Sequence, residues 1–226
     1  MKTSFQHPLI ESVKKELYAK KDIERAAWSK AYMKNQFSFI GLVAAERRII
    51  TKKIVKEIPI HNLVELEKIV RVLWQKDARE FQYVAIEILA FHKKMWNKEI
   101  IELLEFCITS KSWWDSVDHI IIECLGYYFK QYQEEINNTA FKWNQSSNIW
   151  LQRCSILFQK SYKQQTDTTI LSKYILHHAN SKEFFVQKAI GWALREYART
   201  NEIWVKTFVA NHLLPALSKR EAMKHL

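Results

Sequence analysis

Glycine, proline and cysteine each occur only three times in 226 residues. A β-rich protein with many tight turns needs far more glycine and proline, and no Asn-Gly turn stands between alternating apolar runs, so the scarcity points to helices joined by short polar loops. Cys107, Cys124 and Cys154 are odd in number, form no CxxC pair and lie in apolar segments. They read as reduced, buried thiols of a reducing cytosol rather than as a disulfide or a zinc site. No stretch approaches the ~18 apolar residues that span a bilayer, and the start, MKTSFQHPLIESVKKEL, lacks an apolar signal core. A soluble, cytoplasmic protein is expected. No glycine-rich phosphate loop is present, which removes the usual nucleotide-hydrolysing classes. His177 and His178 are adjacent, with no cysteine or carboxylate at ligand spacing, so neither a metal nor another cofactor is expected.

Apolar residues make up 48% of the chain and charged residues 26%, the balance of a globular protein. Lys and Arg number 35 against 24 Asp and Glu, a formal charge of +11. A field of that size suits a polyanionic partner, either nucleic acid or an acidic membrane surface. The run ERRIITKKIVKEI from Glu46 is basic and amphipathic, as a membrane-surface helix would be. Its apolar positions more simply form the core seam of a repeat, and no membrane partner is expected.

The chain reads as one domain, residues 1–226, made of successive amphipathic helices. The first covers Pro8 to Lys20, and the second runs from Asp22, a good N-cap, towards Gly41. Further helices start near Val43, Asn62, Ala78, Lys98, Ser112, Ser147, Thr168, Lys182 and Glu202. Four segments share an aromatic start and a long apolar run: FQYVAIEILAFH, WDSVDHIIIECLGYY, WLQRCSILFQKSY and FFVQKAIGWALREYAR. They begin at Phe81, Trp114, Trp150 and Phe184, a spacing of about 33 to 36 residues. Recurrence at two-helix length predicts an all-α, HEAT-like helical-repeat solenoid whose inner helices line a concave face.

On a helix from Phe184, the residues Lys188, Trp192, Arg195 and Arg199 share one face, while Ala189, Ile190, Ala193, Leu194 and Tyr197 supply the core. A cationic stripe with an aromatic in its middle fits a phosphate backbone and a sugar together. In KSWWDSVDHI, Trp113 and Trp114 leave the helix at different angles and cannot both point into one core. Trp113 is assigned to the DNA-contacting surface. Asp115 supplies the negative charge expected of a first helical turn. Asp118 lies beyond the cap and shares a face with Trp114. A lone carboxylate facing DNA repels phosphate, so it calls for another reason, such as stabilising positive charge that develops on a sugar. Arg153 sits in the apolar segment NIWLQRCSILFQ. It suits a salt bridge to a neighbouring repeat, a bidentate phosphate contact, or the orientation of Asp118. The remaining tryptophans, Trp28, Trp74, Trp96, Trp143, Trp150 and Trp204, read as packing.

With SWWDSVDHI, NIWLQRCSILFQ, FFVQKAIGWALREYARTN and the ending LLPALSKREAMKHL, the chain resembles the DNA alkylation-repair family of HEAT-like glycosylases, in order and spacing over nearly its full length. The resemblance implies hydrolysis of the N-glycosidic bond of cationic alkylated purines, 3-methyladenine and 7-methylguanine, in duplex DNA, by a monofunctional enzyme without a base-binding pocket. It further implies that Trp114, Asp118, Arg153 and Trp192 surround the lesion, with Arg153 able to anchor a flanking phosphate. Tyr32, in AAWSKAYMKNQFSFIG, matches an aromatic that helps hold the DNA. A cationic purine is already a good leaving group, so no general acid is needed. Two other readings stand beside this one: a DNA-binding scaffold without catalysis, and a protein-interaction solenoid. A monomer is the default.

Overall fold

The computed structural model describes residues 5–226. Among them no β-strand forms, and the chain is helical almost throughout, with two compact units divided between Leu103 and Leu104.

The first unit carries α1 (Pro8–Ala19), α2 (Ile23–Tyr32), α3 (Ala44–Glu57), α4 (Leu63–Gln75) and α5 (Arg79–Phe91). Local chemistry sets their starts. Pro8 takes a first-turn position where its missing N–H costs nothing, and the side chains of Asp22 and Asn62 accept from the N–H groups of Arg25 and Glu65. The second helix ends at Tyr32, well short of Gly41, because Lys34 and Asn35 turn to left-handed φ values of 57° and 59°. The loop that follows is anchored from below. Buried Glu80 accepts the N–H groups of Ile40 (3.0 Å), Gly41 (2.8 Å) and Leu42 (3.3 Å). Gly41 has φ +106°, and a Cβ there would lie 2.1 Å from the Asp22 carbonyl oxygen, so only glycine fits.

Within this unit α1 packs on α3, α3 on α5 and α4 on α5. The seam of α3 differs from the apolar one expected from the Glu46 run. Arg47, Thr51 and Ile54 face inward, whereas Ile49 is 70% exposed. The buried Arg47 guanidinium and Thr51 hydroxyl both bind the Glu87 carboxylate, at 2.9 and 2.7 Å, which compensates their desolvation.

The division between units falls within α6 (Ile100–Thr109). The second unit then begins a long helix as α7 (Trp114–Ile120), which widens to a π-helical stretch (Ile121–Leu125) and continues as α8 (Gly126–Gln131). A second such stretch (Ile136–Ala140) leads into α9 (Phe141–Gln145). There follow α10 (Ile149–Leu157), α11 (Thr168–His177), α12 (Phe184–Ala198), α13 (Glu202–Asn211) and α14 (Ala216–Ala222). Asn148, Asp167 and Asn201 cap three of them with their side chains. The sequence pattern missed α9 and α14, both too short to show a period.

Contacts in this unit follow a repeat. The helices α7, α10, α12 and α14 touch in succession, while α9, α11 and α13 each cover a member of that series. The chain is thus a helical repeat, as its two-helix spacing implied. Tyr128, Phe129, Trp143 and Phe158 fill the centre of the second unit; the Phe129 and Phe158 centroids lie 4.8 Å apart. Trp74, Trp96, Trp143 and Trp150 are buried, as expected of packing residues. Trp28 is not: it is 66% exposed, on a helix that buries no residue among those described.

Candidate active site

Four helices of the second unit supply one open cleft of about 310 Å³. Trp114 opens α7 and Asp118 follows one turn later, so both side chains leave the same face. Arg153 comes from α10, Lys188, Trp192 and Arg195 from α12, and Glu221 from α14; Phe184 and Phe185 complete the lining.

Asp118 and Arg153 form a fork-to-fork pair. The Arg153 Nε donates to Oδ1 at 2.7 Å and Nη2 to Oδ2 at 2.9 Å. The third nitrogen, Nη1, donates to the Phe185 carbonyl at 2.8 Å. Of the roles open to Arg153 in sequence, the salt bridge to a neighbouring helix and the contact that orients Asp118 are here one and the same pair. A guanidinium only 4% exposed, with all three nitrogens engaged, is not placed to anchor a flanking phosphate.

Burial raises the Asp118 carboxyl above its ordinary value; the hydrogen bonds and charge of Arg153, and the charge of Lys160, pull the other way. Both oxygens accept from one guanidinium, the geometry of a carboxylate and not of its acid. Asp118 is therefore a desolvated, fixed negative charge in the lining of the cleft, with side-chain exposure of 16%.

Trp192 presents its ring to two cations. The Arg153 guanidinium carbon lies 5.6 Å from the ring centroid and the Lys160 ammonium 4.7 Å from it. Its Nε1 donates to Glu196 at 3.3 Å, which fixes the indole about its own axis.

The cationic stripe on α12 is where the periodicity placed it, but its charge is largely spoken for. Glu221 receives Lys188 at 3.0 Å and Arg195 at 2.7 Å, and these two donors hold its carboxyl below the usual value. Arg199 stays exposed, 3.4 Å from Glu196. It lines a second cleft of about 520 Å³, together with Lys160 and Glu196. That larger space lacks the buried acid–guanidinium pair that gives the smaller one its chemistry.

Trp113 departs from the expected contact surface. Its ring packs against Trp150 and Phe185, with centroids at 5.9 and 5.4 Å, and does not line the cleft. Its Nε1 is buried with no acceptor among the described residues. Tyr32 lies in the first unit, 56% exposed, with its ring stacked on Trp28 at 5.2 Å. Its exposed partner, Trp28, is expected from sequence to be a packing residue.

Glu221, Lys160 and Glu196 were not singled out in sequence. The available signal for Glu221 was an acid inside the basic run KREAMK of a strongly basic chain. His178, read as no metal ligand, faces the Asn144 carbonyl with Nε2 at 2.9 Å; burial and the neighbouring His177 lower it to about 4.

Residues 13–226 match the family described as DNA alkylation repair enzyme, and the chain belongs to that family. The solved structure of a predicted DNA alkylation repair enzyme from Enterococcus faecalis is 33% identical. The match covers 91% of this chain and 96% of that one, with a TM-score of 0.85. The structure of smu.31 from Streptococcus mutans UA159 shares the fold at 16% identity, covering 80% of this chain and 92% of that one, with a TM-score of 0.62. No curated protein matches the chain. No helix of the described residues is long and apolar enough to cross a membrane.

Proposed function

We propose that this member of the family is a monofunctional DNA N-glycosylase. It releases cationic alkylated purines, such as 3-methyladenine and 7-methylguanine, from duplex DNA without a closed base-binding pocket. The observation that carries the reading is Asp118: an ionised, largely desolvated carboxylate, locked by Arg153, at an open cleft shared with Trp114 and Trp192.

The chemistry follows from the charge. The alkylated purine departs with the electron pair of the N-glycosidic bond, which neutralises it, so no proton donor is required. The positive charge moves to the deoxyribose, where a fixed carboxylate stabilises it at no cost of reorganisation. Indole faces at Trp114 and Trp192 accept a cationic sugar by cation–π attraction. Water then bonds to the anomeric carbon and loses a proton, by way of the Asp118 carboxylate or to solvent, leaving an abasic site.

Asp118→Asn tests the reading, because the amide is isosteric, uncharged and still able to accept from Arg153. Wild-type protein is expected to release 7-methylguanine from methylated duplex, and the variant to lose on the order of 10²-fold or more in rate with duplex affinity retained. Equal release by both proteins would show that Asp118 does no chemistry. Duplex binding with no base release by either would favour a DNA-binding scaffold.

A further inference from the structure

Glu221 stands out because two cations of one helix converge on it from another. Lys188 and Arg195 project from α12, and both end on a carboxylate carried by α14. Arg195 also donates to the Glu221 backbone carbonyl at 3.2 Å. The helices are brought together by features that need no charge. Ser218 donates to the Gln187 carbonyl at 2.8 Å. Gly191 permits close approach, since a Cβ there would lie 2.4 Å from the Glu221 Cβ and 2.9 Å from the Ser218 carbonyl oxygen. The docking of α14 thus has its own supports, and the carboxylate is available for another task.

Charge in the cleft suggests that task. Asp118 and Arg153 cancel, so Lys188 and Arg195 alone would leave the lining doubly positive. Two bare ammonium and guanidinium groups suit a phosphate, but they oppose a cationic nucleobase and the cationic sugar that follows from it. With Glu221 the excess falls to a single charge.

We propose that Glu221 is a specificity-determining residue of this cleft, restraining Lys188 and Arg195 so that a cationic substrate is admitted at the expense of grip on undamaged backbone. The inference rests on the glycosylase reading for its substrate, while its effect on DNA affinity is independent of that reading. It implies opposite changes in two measurements, which a merely structural residue would not produce.

Glu221→Gln keeps the shape and removes the charge. Affinity for undamaged duplex across a salt series and single-turnover release of 7-methylguanine would be measured side by side. The variant is expected to bind undamaged duplex more tightly, with a log–log salt slope steeper by about one. Base release is expected to fall on the order of ten-fold, as one uncompensated charge in a partly desolvated site would impose. Unchanged or weaker binding, or unchanged release, overturns the proposal. Lys188→Gln guards against a folding defect, because removing a cation should reverse both signs. The same direction of change in the two variants would also overturn it. If wild-type protein releases no base, the glycosylase reading falls, and the binding arm alone decides whether Glu221 restrains the cations.

Discussion

Arg153 binds Asp118 through two parallel hydrogen bonds, 2.7 and 2.9 Å long, and spends its remaining nitrogen on the Phe185 carbonyl. The carbonyl belongs to the first turn of α12, so one guanidinium ties α7, α10 and α12 together at the acid. Orientation of the carboxylate and registry of three helices therefore depend on the same side chain.

Arg153→Lys should separate these roles. An ammonium is a point charge and cannot reproduce the fork, so both alignment and compensation of Asp118 weaken. Base release is expected to fall about 10- to 100-fold. The acid limb of its pH–rate profile should move to higher pH, because Arg153 is the principal counterweight to burial at Asp118. An unmoved acid limb would show that the pair does not set the ionisation. Arg153→Ala is expected to cost about 3–5 kcal/mol in thermal or denaturant unfolding, as when one partner of a buried pair is removed.

Asp118 and Glu221 respond to acid in opposite senses. Asp118 is raised by burial, so its ionised form opposes folding at neutrality, and that cost is relieved as pH falls through its folded value. Glu221 is lowered by Lys188 and Arg195, so it contributes stability above its ordinary value of 4.5 that is lost as pH falls through the folded value. Glu221→Gln should therefore show a smaller drop in Tm than wild type as pH is taken from neutrality to below 4.5. An identical Tm profile for the two proteins would mean that the ion pairs contribute nothing to folding.

Lys160 sits over the indole that the proposed mechanism offers to a cationic sugar, 4.7 Å from its centroid. Its charge also helps keep Asp118 ionised. Lys160→Met should accordingly raise the acid limb while quickening release above it by about two- to five-fold, the gain from a freed cation–π face. Slower release above the limb would assign Lys160 to substrate binding instead.

Two tryptophans with similar sequence surroundings should behave very differently. Trp74 is fully buried on α4, and its replacement by Ala is expected to cost about 3–5 kcal/mol. Trp28, 66% exposed, should cost no more than about 0.5 kcal/mol on the same change. Urea unfolding of both variants checks the pair, and a large loss at Trp28 would contradict its exposure.

Most of the helical frame was legible because periodicity and caps are local. Asn62, Asp167 and Asn201 announce their helices within a few residues, and the core face of α12 follows from its spacing except at Tyr197, which is only half-buried, against Trp204. What remained hidden depends on partners distant in the chain. Nothing near Lys188 or Arg195 indicates that Glu221, 26 residues beyond Arg195, will receive both. Asp118 and Arg153 were each recognisable as unusual, yet their pairing across 35 residues was one option among three. The assignment of Trp113 to a DNA-contacting surface misses for the same reason: Trp113 stands at the N-cap of α7 and packs against Trp150 and Phe185, both distant in the chain. In α2, Trp28 reads as a packing residue, but it stands in solvent together with Ile23 and Tyr32.

The three cysteines acquire a second meaning in a family concerned with alkylation damage. All are fully buried, and Cys154, adjacent in sequence to the site's guanidinium, has its thiol pushed well up by burial. Methylating electrophiles attack thiolates, and a neutral, inaccessible thiol is inert to them. Burial thereby withholds all three thiols from such electrophiles.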